Sequence, residues 1–361
     1  MHTGVSLYLS NGYEHNARLV EKARRAGVRR AFTSLHIPEE RIPDYQREAA
    51  RLVRLCREAG IELVADVSPR TLGLLGCSSI DDVAQLGLTY LRLDFGFGAP
   101  RVAELSRRFH VVFNASTISD DAIAAWRAAG VDLARVAACH NYYPKRWSGL
   151  SLRRVASVND RLKALGVEVM GFVPGDAGLR GPLHEGLPTV EGHRGDTGIG
   201  LVRDMLELFD ARCDVVLVGD SDVSDIVWRR MGELNRGYVT LHAMLDEAFS
   251  YLYGRPQHDR PDSSEFLIRS PESRGWDMPV SAAGSRARTF SCEAGAVVVG
   301  NEAYGRYAGE VGIARQPLEL DGRDTLAGWV CAEDRPLLPF VTCGRGFVLE
   351  RPWGPASGWR D

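Results

Sequence analysis

The sequence predicts an α/β fold, a (β/α)8 TIM barrel followed by a small β domain. Three observations lead there. Through about the first 240 residues, short apolar runs alternate with amphipathic helical patterns, as parallel strands joined by crossover helices require. Eight such runs can be counted, the number that closes a barrel. Beyond residue 264 the pattern changes to short strands with glycine-rich turns, and 361 residues is more than one ordinary domain needs.

In chain order, the barrel strands are expected at 5–9, 31–35, 62–67, 90–94, 111–114, 136–140, 168–173 and 215–218. Helices are expected at 16–26, 44–59, 120–129, 152–165, 201–209 and 224–233. Gly27, Gly60, Gly130 and Gly166 follow four of them as left-handed C-caps. An open doubly wound sheet is the competing architecture, but no GxGxxG follows the first strand. Residues 241–253 read as the last barrel helix, which gives a catalytic domain over 1–254. RPQHDRPDSS (255–264) breaks every periodicity and reads as a linker. The second domain, 265–361, carries expected strands at 266–269, 296–300, 310–314, 325–332, 337–342 and 347–349, enough for a small β-barrel.

A net charge of −3, from 44 basic and 47 acidic residues, leaves no footprint for nucleic acid or an anionic membrane. A small diffusible substrate fits better. The seven cysteines form no CxxC pair and read as reduced thiols. The N-terminus turns polar after one short apolar run, and no stretch reaches membrane-spanning length, so a cytoplasmic location is expected.

Catalytic groups of such a barrel sit where strands end and loops begin. Those positions hold His36, Asp66, Asp94, Asn114, His140, Asn141, Asp176, Asp220 and Asp222. Each has a plainer alternative: Asp66, Asp220 and Asp222 can cap backbone N–H groups, Asn141 can do the same, and His140 can be a satisfied core histidine. Asp94 is harder to explain so, because FGFG would surround it with apolar surface and desolvate it. The other conspicuous stretch is RGPLHEGLPTVEGHR (180–194), a long loop with Glu185, Glu191, two histidines and two arginines, stiffened by two prolines. No HxH, HExxH, GxSxG or phosphate-binding loop occurs, and no metal or cofactor is expected. Paired carboxylates beside rim aromatics such as Tyr8, Tyr142 and Trp147 suit glycoside hydrolysis: one acid protonates the leaving oxygen and a second group stabilises or captures the oxocarbenium.

FTSLHIPEE (32–40), DVSP (66–69), RLDFGF (92–97), NAST (114–117), ACHNYYP (138–144), GFVPG (171–175), the loop 180–194 and NEAYGRYAGE (301–310) resemble, in this order, the bacterial 6-phospho-N-acetylmuramidases, glycoside hydrolase family 170. KRWSGL (145–150) departs from the shorter Arg-Pro form expected there. The resemblance implies a cytoplasmic hydrolase of peptidoglycan recycling with a cyclophilin-like C-terminal domain. It would cleave the β-1,4 bond between N-acetylmuramic acid 6-phosphate and N-acetylglucosamine. Asp94 and Glu185 are then the expected working carboxylates, with Asp66 and Glu191 as substitutes, and the substrate's acetamido group can replace a protein nucleophile. Expected substrate contacts are His36, Asn114, His140, Asn141 and Asp220 on the rim. Arg180, His193 and Arg194 would hold the phosphate, and Arg306 would close over it. A non-catalytic phosphosugar-binding protein and a metal-dependent barrel lyase or isomerase are the alternatives.

Overall fold

The computed structural model describes residues 1–35, 42, 44–68, 71–77, 79–93, 97–276 and 289–352. The chain forms two compact units, Met1–Asn235 and Arg236–Asp361.

In the first unit β1 (His2–Ser6), β2 (Arg30–Ser34), β3 (Glu62–Val67), β4 (Tyr90–Leu93), β5 (His110–Asn114), β6 (Val136–Cys139), β7 (Glu168–Val173) and β8 (Val215–Val218) pair in sequence order, all parallel, and β8 returns to β1. The expected barrel is therefore formed. Helices α1 (Tyr13–Arg25), α2 (Tyr45–Glu58), α3 (Thr71–Leu74), α4 (Ile80–Leu86), α5 (Ala99–Ser106), α6 (Asp120–Ala128), α7 (Leu152–Ala164), α8 (Ile199–Asp210) and α9 (Asp225–Asn235) follow the strands. The four expected C-cap glycines, Gly27, Gly60, Gly130 and Gly166, take φ of 68°, 70°, 87° and 78°. The first strand ends at Ser6 rather than residue 9, because 9–11 already turn in a short 3-10 segment ahead of Gly12.

Inside the barrel, Phe32, Val64, Tyr90, Val112, Cys139, Met170, Phe172 and Leu217 form a closed apolar core. Tyr142, just past β6, seats its ring edge-on to Phe172 at 5.2 Å and to Phe32 at 6.1 Å, capping that core from the C-terminal side. At the opposite end Arg30 lies 4.0 Å over Tyr90 and pairs with Glu62 at 2.9 Å, an arrangement that holds the barrel floor.

The second unit begins earlier than 254. Residues 241–253 do not form a barrel helix: β9 (Tyr238–Leu245) runs between β17 (Gly346–Glu350), parallel, and β16 (Asp324–Val330), antiparallel. Leu241, Met244, Leu245, Ala248, Phe249 and Leu252 recur at helical spacing, but the pairing of β9 with strands on both sides overrides that period and buries Thr240 and His242 along with their apolar neighbours. The stretch read as a linker likewise contains β10 (Pro256–His258), paired with β17. With β11 (Leu267–Ser270), β13 (Ala296–Gly300) and β14 (Val311–Ala314) the seven-stranded order is β10-β17-β9-β16-β13-β14-β11; β12 (Phe290–Cys292) and β15 (Leu318–Leu320) form a separate pair. Among the described residues no pairing closes that sheet into the expected ring. The strand expected at 337–342 is instead a 3-10 segment, Arg335–Phe340, because Pro336 and Pro339 cannot donate to a ladder.

Candidate active site

Strand alternation builds the site. Two residues above Phe32, Val64, Tyr90, Val112 and Cys139, on the same inward face, stand Ser34, Asp66, Arg92, Asn114 and Asn141. Register places Ser34 beside Asp66 and Asp66 beside Arg92. Arg92 donates from Nη1 to Asp66 Oδ1 at 2.9 Å and from Nη2 to Asn141 Oδ1 at 2.5 Å; Arg92 and Asp66 are buried and Asn141 is partly so. Asn114 donates its amide to the same Asn141 oxygen at 3.0 Å, and its own oxygen accepts from the Ser116 N–H. Desolvating a guanidinium and a carboxylate costs several kcal/mol per ion, so this polar layer needs its full set of partners.

The loop 180–194 divides in two. Residues 186–190 are buried and packed beside β7: Thr189 donates from its N–H to the Phe172 carbonyl, and its hydroxyl donates to the Asn141 carbonyl, both at 2.9 Å. Asp220, itself buried, anchors this half by accepting from the N–H groups of Gly175, Arg180 and Leu187 at 2.8, 2.8 and 2.9 Å. Burial raises its carboxyl above the usual range, opposed by those three backbone bonds. Residues 182–184 are exposed.

Glu191 and Arg194 close the far end. Glu191 accepts from Arg194 Nε at 2.7 Å and Nη2 at 2.9 Å, and from the N–H groups of Trp147 and Gly149, both at 2.8 Å. The Arg194 bond foremost, then the two backbone donors, hold its carboxyl down at about 2. Arg194 also donates to the carbonyls of Glu185, Gly186, Tyr143 and Lys145. All five of its N–H groups are thus committed inside the protein. The consequence corrects two expectations: Glu191 is a loop clamp whose acceptor directions are taken, and Arg194 has no donor left for phosphate.

The remaining expected residues divide similarly. His140 is fully buried between Ser116 Oγ at 3.1 Å and Asn159 Oδ1 at 2.8 Å, with its pKa lowered by burial, so the plain core reading fits. His193 turns away from the barrel axis towards α8, 3.0 Å from Glu207, and cannot meet a phosphate beside Arg180. Asp176 and Asp222 bind the start of α9, through Ser224 and through Trp228 respectively. Arg306 is an exposed residue of the second unit, donating to the Tyr307 hydroxyl at 2.7 Å. His36 and Asp94 lie outside the described residues. Asp66, Asn114 and Asn141 are brought together as the mouth of the barrel, while Arg180 stacks 3.9 Å over the ring of Tyr8, whose hydroxyl donates to the Gly219 carbonyl. Glu185, one-third exposed, accepts from Arg146 Nε at 2.8 Å.

Two participants went unmarked in the sequence. Arg92 was detectable as a charge at the inward position of an otherwise apolar YLRL strand, in phase with Tyr90. Arg146 lies in KRWSGL, the stretch that departs from the shorter Arg-Pro form. Among the described residues, His193, Asp204 and Glu207 present ligand atoms within 4.8 Å of one another. Arg203 already donates to Asp204 at 2.9 Å, and burial pushes the Asp204 carboxyl up to about 8, a hydrogen-bonded network under the loop.

Residues 3–233 match the family described as 6-phospho-N-acetylmuramidase, N-terminal, and residues 239–350 its C-terminal counterpart. A conserved Enterococcus faecalis protein with an unknown function superposes with a TM-score of 0.74 at 28% identity, covering 97% of this chain and 96% of that one. An uncharacterised B. cereus protein gives 0.73 at 25%, covering 96% and 99%. No curated protein matches.

Proposed function

The chain belongs to the 6-phospho-N-acetylmuramidase family, and from that premise we propose that it hydrolyses the β-1,4 bond between N-acetylmuramic acid 6-phosphate and N-acetylglucosamine. The observation that carries this is a family match over both units together with a carboxylate fixed in a buried polar layer inside the barrel mouth. Glu185, on the partly exposed lip, acts as the acid that protonates the leaving oxygen and then, as a carboxylate, takes a proton from the water that opens the ring formed by the acetamido group. Asp66, ion-paired with Arg92, is the fixed negative charge facing the cation that develops at the anomeric carbon, whose own acetamido oxygen attacks. Asp94 remains a further candidate carboxylate from the sequence. Arg180, positioned by Tyr8 and by its own backbone bond to Asp220, receives the 6-phosphate as a planar donor. Trp147 is 87% exposed on the clamped 145–150 loop and offers a stacking face to the second sugar.

We read the second unit as the cyclophilin-like module of the family. A cytoplasmic place in peptidoglycan recycling is supported by seven unbonded cysteines; no helix of the described residues is long and apolar enough to cross a membrane. Pure protein should release N-acetylglucosamine from the phosphorylated disaccharide, with EDTA present, and far more slowly from the unphosphorylated one. Glu185→Gln should lower kcat by about two to four orders of magnitude. Binding of the disaccharide without any release would leave a phosphosugar-binding protein instead.

A further inference from the structure

The second unit contains a cavity of about 250 Å³ among its own residues. Its floor is one face of the sheet where β11, β14 and β13 lie side by side, and it is apolar. Gly312 sits at the centre of that floor, and a Cβ there would come within 3.0 Å of Leu267 and 3.1 Å of Val298, so any larger residue would stand in the hollow. The walls are Tyr304 and Tyr307 of the NEAYGRYAGE segment.

The polar rim is already ordered. Asp324 accepts from the Tyr304 hydroxyl at 3.0 Å, which fixes that ring, and Arg323 lies 4.7 Å over it. Glu310 accepts from Arg269 Nε at 2.7 Å and from Arg274, which itself stacks on Tyr307 at 4.7 Å. Arg323 is itself paired with Asp321, so the three guanidinium groups of Arg269, Arg274 and Arg323 are answered by the three carboxylates of Glu310, Asp324 and Asp321, an arrangement that favours neither an anion nor a cation. An apolar floor, two tyrosine rings and a neutral rim of charged donors and acceptors match a pyranose, which has C–H faces and a belt of hydroxyl groups. The space lies just below the usual range of drug-sized pockets, a size that suits one sugar ring.

We propose that this cavity is a second carbohydrate site that takes a single uncharged pyranose ring. It stands independently of what the barrel hydrolyses. Glucose is the probe, titrated into the full-length chain and followed by saturation-transfer NMR and calorimetry. One saturable site is expected, and Tyr304→Ala should weaken it by about tenfold or more. Asp324→Asn, a milder change checked by an unaltered melting temperature, should weaken it by a similar factor through the lost acceptor. Glu185→Gln in the barrel should leave this binding unchanged. The proposal is overturned if glucose does not bind saturably, if binding survives both second-unit substitutions, or if Glu185→Gln abolishes it.

Discussion

Glu191→Gln separates a clamp from a catalyst. The carboxylate takes four N–H donors, two on each oxygen, and an amide can replace only one of those oxygens as an acceptor. The new NH2 would face two donors. The fall of the Glu191 carboxyl from 4.5 to about 2 corresponds to an upper figure of about 3 kcal/mol. The side chain keeps 19% exposure and solvent screens part of this, so about 2 kcal/mol is the working value. A loss of that size speeds local opening by about 30-fold, to be read as faster hydrogen exchange at the Trp147 and Gly149 amides. Turnover should stay within about tenfold of the parent, with KM raised because Trp147 loses its anchor. The folded-state value lies below the ordinary one, so the clamp's contribution is complete above pH 4.5 and fades as pH falls towards 2. Corrected for the intrinsic exchange rate, wild-type protection at these amides should fall at pH 3, and the variant should lack that dependence. A kcat loss of several orders with exchange unchanged would refute the clamp and return Glu191 to the chemistry.

Asp66→Asn should strand the Arg92 guanidinium in the barrel mouth and destabilise the protein by about 3–5 kcal/mol, measured in urea. Replacing both by apolar residues should restore most of the stability and none of the activity. Arg180→Met should raise KM for the phosphorylated disaccharide by about tenfold or more in steady-state assays, with little effect on kcat. Burial lifts the Asp204 carboxyl from 3.8 to about 8, so its contribution is fully present below pH 3.8 and declines as pH rises to about 8. Asp204→Asn should flatten that slope, which urea midpoints at pH 5 and pH 8 would reveal; an unchanged slope would place the proton elsewhere.

The barrel was legible because each of its strands is a short apolar run between turn residues, whichever helix follows. β9 was not, since Leu241, Met244, Leu245, Ala248 and Phe249 carry a helical period that strand pairing overrides, and 337–342 misled because its apolar residues outweighed its prolines. At the site, reading strand ends located Asp66, Asn114 and Asn141. Arg92 escaped because it stands within a strand, where the inward direction is known only once the neighbouring strands are in register. Glu191 and Arg194 carry the residue types of a catalytic acid and a phosphate ligand. Their commitment to each other, and to the amides and carbonyls of 143–149, arises from tertiary contacts that spacing does not encode.

Asp220 has a consequence for binding as well as for folding. Its carboxylate gathers the Gly175, Arg180 and Leu187 amides much as a bound anion would, so the approach to the barrel mouth is in order before any sugar arrives. The conformational entropy of that segment is lost when the chain folds and is not charged again against each encounter. Affinity at this mouth then depends chiefly on contacts made, and association should proceed without a slow loop-ordering step.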